Sequence, residues 1–316
     1  MPAADRTAAL AARMAERAVA LAQDAGAGRY GIAVSGGPDS MALLHLAHHA
    51  FPGRVAAATV DHGLRAASAQ EAAMVADWCA ALGVPHAILA PAAPVEGNVQ
   101  AWARAQRYAL LEQWRAAHGL DWIVTAHHAD DQLETLLMRL NRGAGVAGLA
   151  GVRGRTGRVI RPLLGIRKAD LLAHAQTHGL PFADDPSNAD PRFDRAALRA
   201  QLAQVDWIDR EAAARSAAAL AEAEAALDWS VAELAATHVA RGADGDWRLD
   251  RTDLPREYLR RLLLLMLDRA GAPVPRGATL DHAIEQARAG AQASLGDWLL
   301  RGGPVWRLQT APPRRG

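Results

Sequence analysis

The stretch Tyr30–His45 reads YGIAVSGGPDSMALLH. Its apolar start is typical of a buried strand and its end of a helix, with the polar turn SGGPDS between them. A strand, a glycine-rich turn and a helix N-terminus together make a common phosphate-binding arrangement. The turn carries no lysine, however, whereas the P-loop of nucleotide hydrolases places one there. The stretch therefore predicts phosphate chemistry of a different kind.

Most positions of the turn SGGPDS suit phosphate binding. Its two glycines let a phosphate approach the backbone amides, and its two serines offer hydroxyl donors. Asp39 is the exception, because a carboxylate repels phosphate unless a cation lies between them, so it is a candidate magnesium ligand. The residues predicted to bind phosphate here are Ser35, Gly36, Gly37, Pro38, Asp39 and Ser40. A simple turn with a helix cap is the alternative for the hexapeptide taken alone.

The first half of the chain alternates apolar runs with helical patterns. The predicted strands are Tyr30–Val34, Val55–Val60, Pro85–Leu89 and Trp122–Thr125, and the predicted helices are Met41–His49, Ser68–Leu82, Asn98–His118 and Asp130–Leu140. This alternation predicts an α/β fold with a parallel sheet covered on both faces. Ligands of such sheets bind beyond the carboxyl ends of the strands, where the polar clusters of this chain also fall.

Two further clusters supply candidate site residues. Asp61 and His62 follow the second strand and are candidates for hydrogen bonds to the nucleotide, with a capped turn as the alternative. His127, Asp131 and Glu134 follow the fourth strand, and the two carboxylates are three residues apart on one helical face. Such an acidic cluster can simply complement a helix dipole. Histidines and carboxylates at a sheet edge favour magnesium binding and proton transfer, and the spacing does not match a zinc HExxH motif.

Length and composition predict two domains and an ordinary globular protein. The chain has 316 residues and a net charge of +1, so its overall charge argues neither for nor against a nucleic-acid partner. The single cysteine excludes a disulfide framework and any mechanism that needs two thiols on this chain. We predict a catalytic domain over residues 1–210 and a mainly helical domain over 211–316, with a small hairpin around Gly302–Pro304. No segment resembles a signal peptide or a membrane span, so a cytoplasmic location is expected.

The turn SGGPDS resembles the SGGxDS pyrophosphate loop of the N-type ATP pyrophosphatases. Those enzymes cleave ATP between the α and β phosphates, adenylate a carbonyl-type oxygen and let a nucleophile displace AMP. The resemblance implies that the loop residues Ser35 to Ser40, with Asp61 and His62, bind ATP and that the loop holds the departing pyrophosphate. A lysine aimed at a γ phosphate is then not needed.

Further segments narrow the resemblance to the tRNA(Ile)-lysidine synthetases, in their short form. The segments are SGGPDS, VDHGLR, NVQAWARAQRYALL, TAHHADDQLETLLMRLNRGAG, RPLL and DDPSNADPRFDRAALR. They keep the order of that family over roughly half of the chain. The resemblance implies a PP-loop ATP pyrophosphatase fold and a ligase that forms a C–N bond. Free L-lysine would be joined to C2 of the wobble cytidine in an isoleucine tRNA with a CAU anticodon, and ATP would yield AMP and pyrophosphate.

The resemblance also suggests roles for the candidate residues. Asp39 and Asp131 are expected to share Mg²⁺, and Glu134 or His127 to assist lysine binding or proton removal. The helical domain resembles a tRNA-recognition domain. The sequence leaves the oligomeric state open, a homodimer included.

A local basic surface is the expected contact for tRNA. Residues 139–168 contain eight basic side chains and no acidic one, next to the predicted active-site edge. A solvated loop is the alternative, but phosphate contact is favoured. The predicted tRNA-binding residues are Arg104, Arg107, Arg142, Arg153, Arg155, Arg158, Arg192, Arg195 and Arg199.

Two other functions fit parts of the sequence. A related PP-loop tRNA thiolase of the 2-thiocytidine group would need paired cysteines for an iron–sulfur cluster, and Cys79 is alone. A non-catalytic RNA-binding protein would not need all of the polar residues of SGGPDS, which are present.

Overall fold

The computed structural model describes residues 3–64, 67–92, 95–183 and 194–311, the side chains of residues 3–6 excepted. The chain divides into two compact units, Met1–Ala221 and Glu222–Gly316. The boundary falls inside helix α9 (Arg210–His238), which begins at residue 210, where the predicted boundary lies. None of the helices in the described ranges is long and apolar enough to cross a membrane.

The first unit alternates helices and strands as predicted. Its elements are α1 (Ala3–Ala22), β1 (Tyr30–Ala33), α2 (Pro38–Ala50), β2 (Val55–Val60), α3 (Ser68–Leu82), β3 (His86–Leu89), α4 (Val99–Ala117), β4 (Trp122–Val124), α5 (Ala129–Leu140), α6 (Val146–Leu149), β5 (Arg155–Thr156), β6 (Val159–Ile160), α7 (Lys168–Thr177) and α8 (Asp194–Leu202). The strand order is β3-β2-β1-β4-β6-β5, and only the β5–β6 pair is antiparallel. The predicted α/β fold with a largely parallel sheet is therefore confirmed.

Both faces of this sheet are covered. Ile32 of β1 packs with Met14 of α1 and Leu43 of α2 on one face, while Trp114 of α4 packs on the other. Gly31 lies under α4, and a Cβ at this position would come within 2.5 Å of the Trp114 ring. Burial on both faces explains why the strands read as continuous apolar runs.

The strand order positions the site. Neighbouring strands β1 and β4 are followed by connections that lead in opposite directions along the sheet, to β2 and to β6. The carboxyl ends of such a pair leave a crevice, which is the usual ligand site of an open α/β sheet. The turn SGGPDS follows β1 and the segment that contains His127 follows β4, so both lie at this crevice.

The second unit contains more strand than the sequence predicted. Its further elements are β7 (Val239–Arg241), β8 (Trp247–Leu249), α10 (Arg256–Arg269), α11 (Gly277–Arg288), β9 (Gln292–Leu295), β10 (Trp298–Arg301) and β11 (Trp306–Thr310). The predicted helices are present, and β10 and β11 form the predicted hairpin. The five strands form an antiparallel sheet in the order β7-β8-β11-β10-β9, and Trp306 is fully buried in the core of this unit. The complete sheet was not predicted.

Candidate active site

The turn SGGPDS is held in shape by its own serines. The Ser40 hydroxyl donates to the Gly37 carbonyl at 2.9 Å, and the same oxygen accepts from the Ser35 amide at 3.1 Å. Gly36 has φ +85°, a backbone angle that favours glycine. Pro38 is the first residue of α2, as expected from its missing N–H. The loop therefore presents the N-terminus of α2 to a cleft with its backbone already ordered.

The cleft at the carboxyl ends of β1 and β4 has a volume of about 600 Å³. This is large enough for a nucleotide-sized ligand. Most of the predicted site residues line it: Ser35, Gly37, Pro38, Asp39, Ser40, His62, Arg104, Arg107, His127, Asp131, Arg195 and Arg199. Two cleft residues that the sequence did not assign are His128 and Lys168. Arg192 and the DPSN segment lie outside the described residues.

Two predicted carboxylates converge on His128. The Nε2 atom of His128 lies 3.5 Å from Asp39 Oδ2 and 3.4 Å from Asp131 Oδ2. His128 is the N-cap of α5 and its side chain accepts from the Asp131 amide, so the capping geometry fixes its position. Burial lowers the pKa of His128, but its hydrogen bond with Asp39 and the negative charges of Asp131 and Asp130 outweigh that effect, and the net pKa is raised. The site therefore favours positive charge between the two carboxylates.

The carboxylates of Asp39 and Asp131 are chemically suited to bind a magnesium ion. Asp39 Oδ1 is buried and has no hydrogen-bond partner among the described residues. No group of three or more acidic, histidine or cysteine side chains in the described ranges is arranged to hold a metal alone. Magnesium is usually bound by one or two carboxylates together with substrate phosphates and water, so a carboxylate pair beside a phosphate loop is sufficient.

Glu134 has a different environment from Asp131. Its side chain is only 2% exposed and accepts two hydrogen bonds from Arg199, Nε to Oε1 at 2.7 Å and Nη2 to Oε2 at 3.0 Å. Arg195 Nε lies 3.4 Å from the same carboxylate. Glu134 does not line the cleft, and its bidentate pair with Arg199 orders α8 against α5. The helical spacing of Asp131 and Glu134 did not distinguish these two positions.

His127 and His62, the two cleft histidines that the sequence predicted, favour neutral rings. Burial lowers the pKa of His127 to about 4, and its Nδ1 lies 3.0 Å from the Thr125 hydroxyl. Burial also lowers the pKa of His62, with the Arg107 charge acting in the same direction. Both ring nitrogens of His62 are buried without a hydrogen-bond partner among the described residues. His62 thus offers one donor and one acceptor to a ligand in the cleft.

Asp61, in contrast, is used within its own turn. Its Oδ1 accepts from the Ser68 hydroxyl at 2.6 Å and from the Gly63 amide at 2.8 Å. These hydrogen bonds lower the pKa of Asp61, the Ser68 bond most strongly. The residue does not line the cleft, so the capped-turn alternative describes its side chain.

The predicted tRNA-binding arginines do not form one surface but lie at several separate positions. Arg104 and Arg107 line the cleft, and Arg142 is two-thirds exposed at the end of α5, 3.5 Å from Asp194. Arg155 and Arg158 instead stack on the ring of Trp122, with guanidinium carbons 4.6 and 5.3 Å from its centroid. These two residues were expected beside the active-site edge, and that expectation is wrong.

The direction of β6 explains this error. β6 runs parallel to β4 with Val159 opposite Ile123, so Arg158 is level with Trp122 at the amino-terminal end of the sheet. Arg155 begins the short strand that pairs with β6, and its Nη1 donates to the Leu21 carbonyl at 3.3 Å. Arg153, the remaining member of this group, donates to the Ala147 carbonyl at 3.4 Å.

Comparisons with known proteins agree with the loop and the fold. A family model described as a PP-loop domain matches residues 10–206, and the chain is a PP-loop protein. A U34-tRNA thiolase from Methanococcus maripaludis has the same fold, with a TM-score of 0.53 and 15% identity, covering 66% of this chain and 78% of that one.

Curated relatives define the family more narrowly. The chain is 41% identical over 299 residues to the tRNA(Ile)-lysidine synthase of Zymomonas mobilis, covering 91% of this chain and 90% of the relative. It is 44% identical over 299 residues to the tRNA(Ile)-lysidine synthase of Novosphingobium aromaticivorans, with the same coverage. The chain belongs to the tRNA(Ile)-lysidine synthase family.

Proposed function

We propose that this chain ligates free L-lysine to C2 of the wobble cytidine of an isoleucine tRNA with a CAU anticodon. ATP adenylates the C2 oxygen, and the ε-amine of lysine then attacks C2 and displaces AMP. The observation that carries the proposal is the convergence of Asp39, from the pyrophosphate loop, and Asp131, from α5, on one point of the cleft. Family membership supplies the substrate class. We also propose a cytoplasmic location, which a tRNA substrate would suit.

The ATP phosphates are assigned to the N-terminus of α2. Backbone amides of the turn and the positive end of the helix dipole would hold the pyrophosphate as it leaves. His62, with both ring nitrogens unpartnered in the described residues, is assigned a hydrogen bond to the nucleoside. Arg104 and Arg107 border the same cleft and would neutralise phosphate charge.

Asp39 and Asp131 are the residues that would hold Mg²⁺. When bound there, the ion would neutralise charge on the phosphates and on the carboxylates that face them. The unpartnered Asp39 oxygen supports this assignment, because a buried carboxylate oxygen without a donor is costly.

The attacking amine must lose a proton, and His127 is assigned as its acceptor. The ring is neutral at neutral pH and its Nδ1 is fixed by the Thr125 hydroxyl. With a pKa of about 4 the ring is a weak base near neutral pH, so in this role it would hold the proton only transiently and pass it to water. Glu134 is assigned a positioning role, since it holds Arg199 at the cleft.

The tRNA is expected to contact arginines at the cleft and around its mouth. Arg142 and Arg153 are the members of residues 139–168 that we retain for the phosphate backbone, and Arg195 and Arg199 line the cleft itself. We also propose that the second unit takes part in tRNA recognition.

Asp39→Asn tests the central assignment. We expect ATP-dependent lysine incorporation to fall at least about 100-fold, because the metal and phosphate charges lose their counterpart. ATP binding should weaken with magnesium present and stay the same or strengthen with EDTA, because the variant also removes a repulsive charge. Asp170→Asn is the matched control, since Asp170 pairs with Arg167 outside the cleft. Near wild-type incorporation by Asp39→Asn would contradict the assignment.

A further inference from the structure

Lys168 is the only lysine in a chain with 35 basic lysine and arginine residues. It is the first residue of α7, and its side chain borders the same cleft as Gly37 and Asp39 of the pyrophosphate loop. The loop itself contains no basic side chain. The cleft thus receives a lysine from a different part of the chain, more than a hundred residues further on.

Helices α2 and α7 pack against each other, and both begin at the cleft. His45 Nδ1 of α2 lies 3.0 Å from His174 Nε2 of α7, and this contact follows the helix starts by similar lengths of chain. Packed helix axes are about 8–10 Å apart. The first residues of both helices, Pro38 and Lys168, line the same cleft, and the lysine carries its charge on a flexible four-carbon side chain.

The start of α7 is fixed to the site by two further contacts. The Lys168 amide donates to Asp130 Oδ2 at 2.8 Å, and Arg210 Nε lies 2.8 Å from the other oxygen of that carboxylate. Downstream of α7, the Ala183 amide donates to the Gly36 carbonyl at 3.0 Å. The backbone that carries Lys168 is therefore held relative to both the acidic cluster and the loop.

We propose that Lys168 binds the polyphosphate of ATP and neutralises the departing pyrophosphate. The inference rests on the proposed use of ATP in this cleft. An ammonium group is a compact charge suited to phosphate, and the positive end of the α7 dipole adds to it. The α-carboxylate of free L-lysine is the other anion of the reaction. The position of Lys168 beside the pyrophosphate loop favours phosphate.

Amine-selective acetylation followed by peptide mass spectrometry tests this assignment directly. Lys168 is the only side-chain amine, and the N-terminal amine maps to a different peptide. ATP and inorganic pyrophosphate, each with magnesium, should protect Lys168 from acetylation, whereas AMP should not. Free L-lysine should lower acetylation no more than an equal concentration of D-lysine, which consumes the reagent to the same extent. Protection by L-lysine beyond that by D-lysine, without protection by pyrophosphate, would overturn the proposal and indicate a carboxylate site.

Variants give a second measurement. Lys168→Gln should raise the Kd for magnesium pyrophosphate about tenfold or more, the scale of one charge-assisted hydrogen bond. Lys168→Arg should recover most of the affinity. Arg167→Gln is the control, since Arg167 carries the same charge one residue earlier, pairs with Asp170 and does not line the cleft.

Failure of this inference differs from failure of the proposed function. Wild-type protein that binds ATP while Lys168 stays fully reactive, or Lys168→Gln with unchanged pyrophosphate affinity, would overturn only the role of Lys168. Wild-type protein that binds neither ATP nor pyrophosphate would overturn both.

Discussion

A cluster of histidines between α2 and α7 predicts that stability falls in mild acid. His45 and His174 are 7% and 4% exposed, and Nδ1 of His45 lies 3.0 Å from Nε2 of His174. His49 Nε2 lies 3.2 Å from His45 Nε2, and the His178 ring packs on both buried rings. His48 also faces this group, and its ring packs on His49.

The sign and size of the effect follow from the pKa values. Burial, and then the neighbouring histidines, lower the pKa of His45 and of His174 to about 4. The unfolded chain, with an ordinary pKa of about 6.5, binds more protons than the folded chain below that pH. Stability is therefore lost as the pH falls from about 6.5 towards 4. Between pH 7 and pH 5 the loss is about 2 kcal/mol for each histidine, or about 4 kcal/mol for the pair.

Equilibrium urea unfolding at pH 7 and pH 5, followed by circular dichroism, measures this loss. His174→Gln should make the loss between pH 7 and pH 5 smaller by about 2 kcal/mol, because one of the two buried histidines of this cluster is gone. His282→Gln, which changes an exposed histidine of α11, should leave it unaltered. A His174→Gln variant with the full wild-type loss would refute the role of this cluster.

Two further predictions concern the site. Glu134→Gln should destabilise the protein by about 2–3 kcal/mol, as thermal unfolding would measure. This is less than the loss of a fully buried ion pair would cost, because Arg199 is a third exposed. The same variant should reduce lysine incorporation in an activity assay. Unchanged stability would contradict the buried ion pair. Arg142→Gln combined with Arg153→Gln should weaken tRNA binding and lower the slope of log affinity against log salt by about one per lost phosphate contact. A slope equal to that of the wild type would remove these residues from the tRNA surface.

Much of the first unit could be predicted because its signals are local. Buried parallel strands read as apolar runs, and the turn residues after β1 and β4 mark the carboxyl ends where ligands bind. That rule was enough to bring Asp39 and Asp131 together across 92 positions of sequence, as the structure confirms. The positive φ of Gly36 and the place of Pro38 at the start of α2 also follow from residue type.

The remainder depends on contacts between distant segments. Glu134 is buried because Arg199, from a helix 65 residues later, pairs with it, and helical spacing carries no information about that partner. Arg155 and Arg158 point away from the cleft because of the direction of a two-residue strand. In the second unit, the strands have only three to five residues. Their alternation of apolar and polar residues is too short to be recognised beside long alanine- and leucine-rich helices.

The most direct test of the proposed function uses the wild-type protein, ATP, labelled L-lysine and unmodified tRNA. The isoleucine tRNA with a CAU anticodon and the methionine tRNA with the same anticodon are compared. We predict that label enters the wobble cytidine of the isoleucine tRNA only, with one AMP and one pyrophosphate released for each lysine joined. ATP consumption that yields ADP, or tRNA binding without any transfer of lysine, would contradict the proposed function.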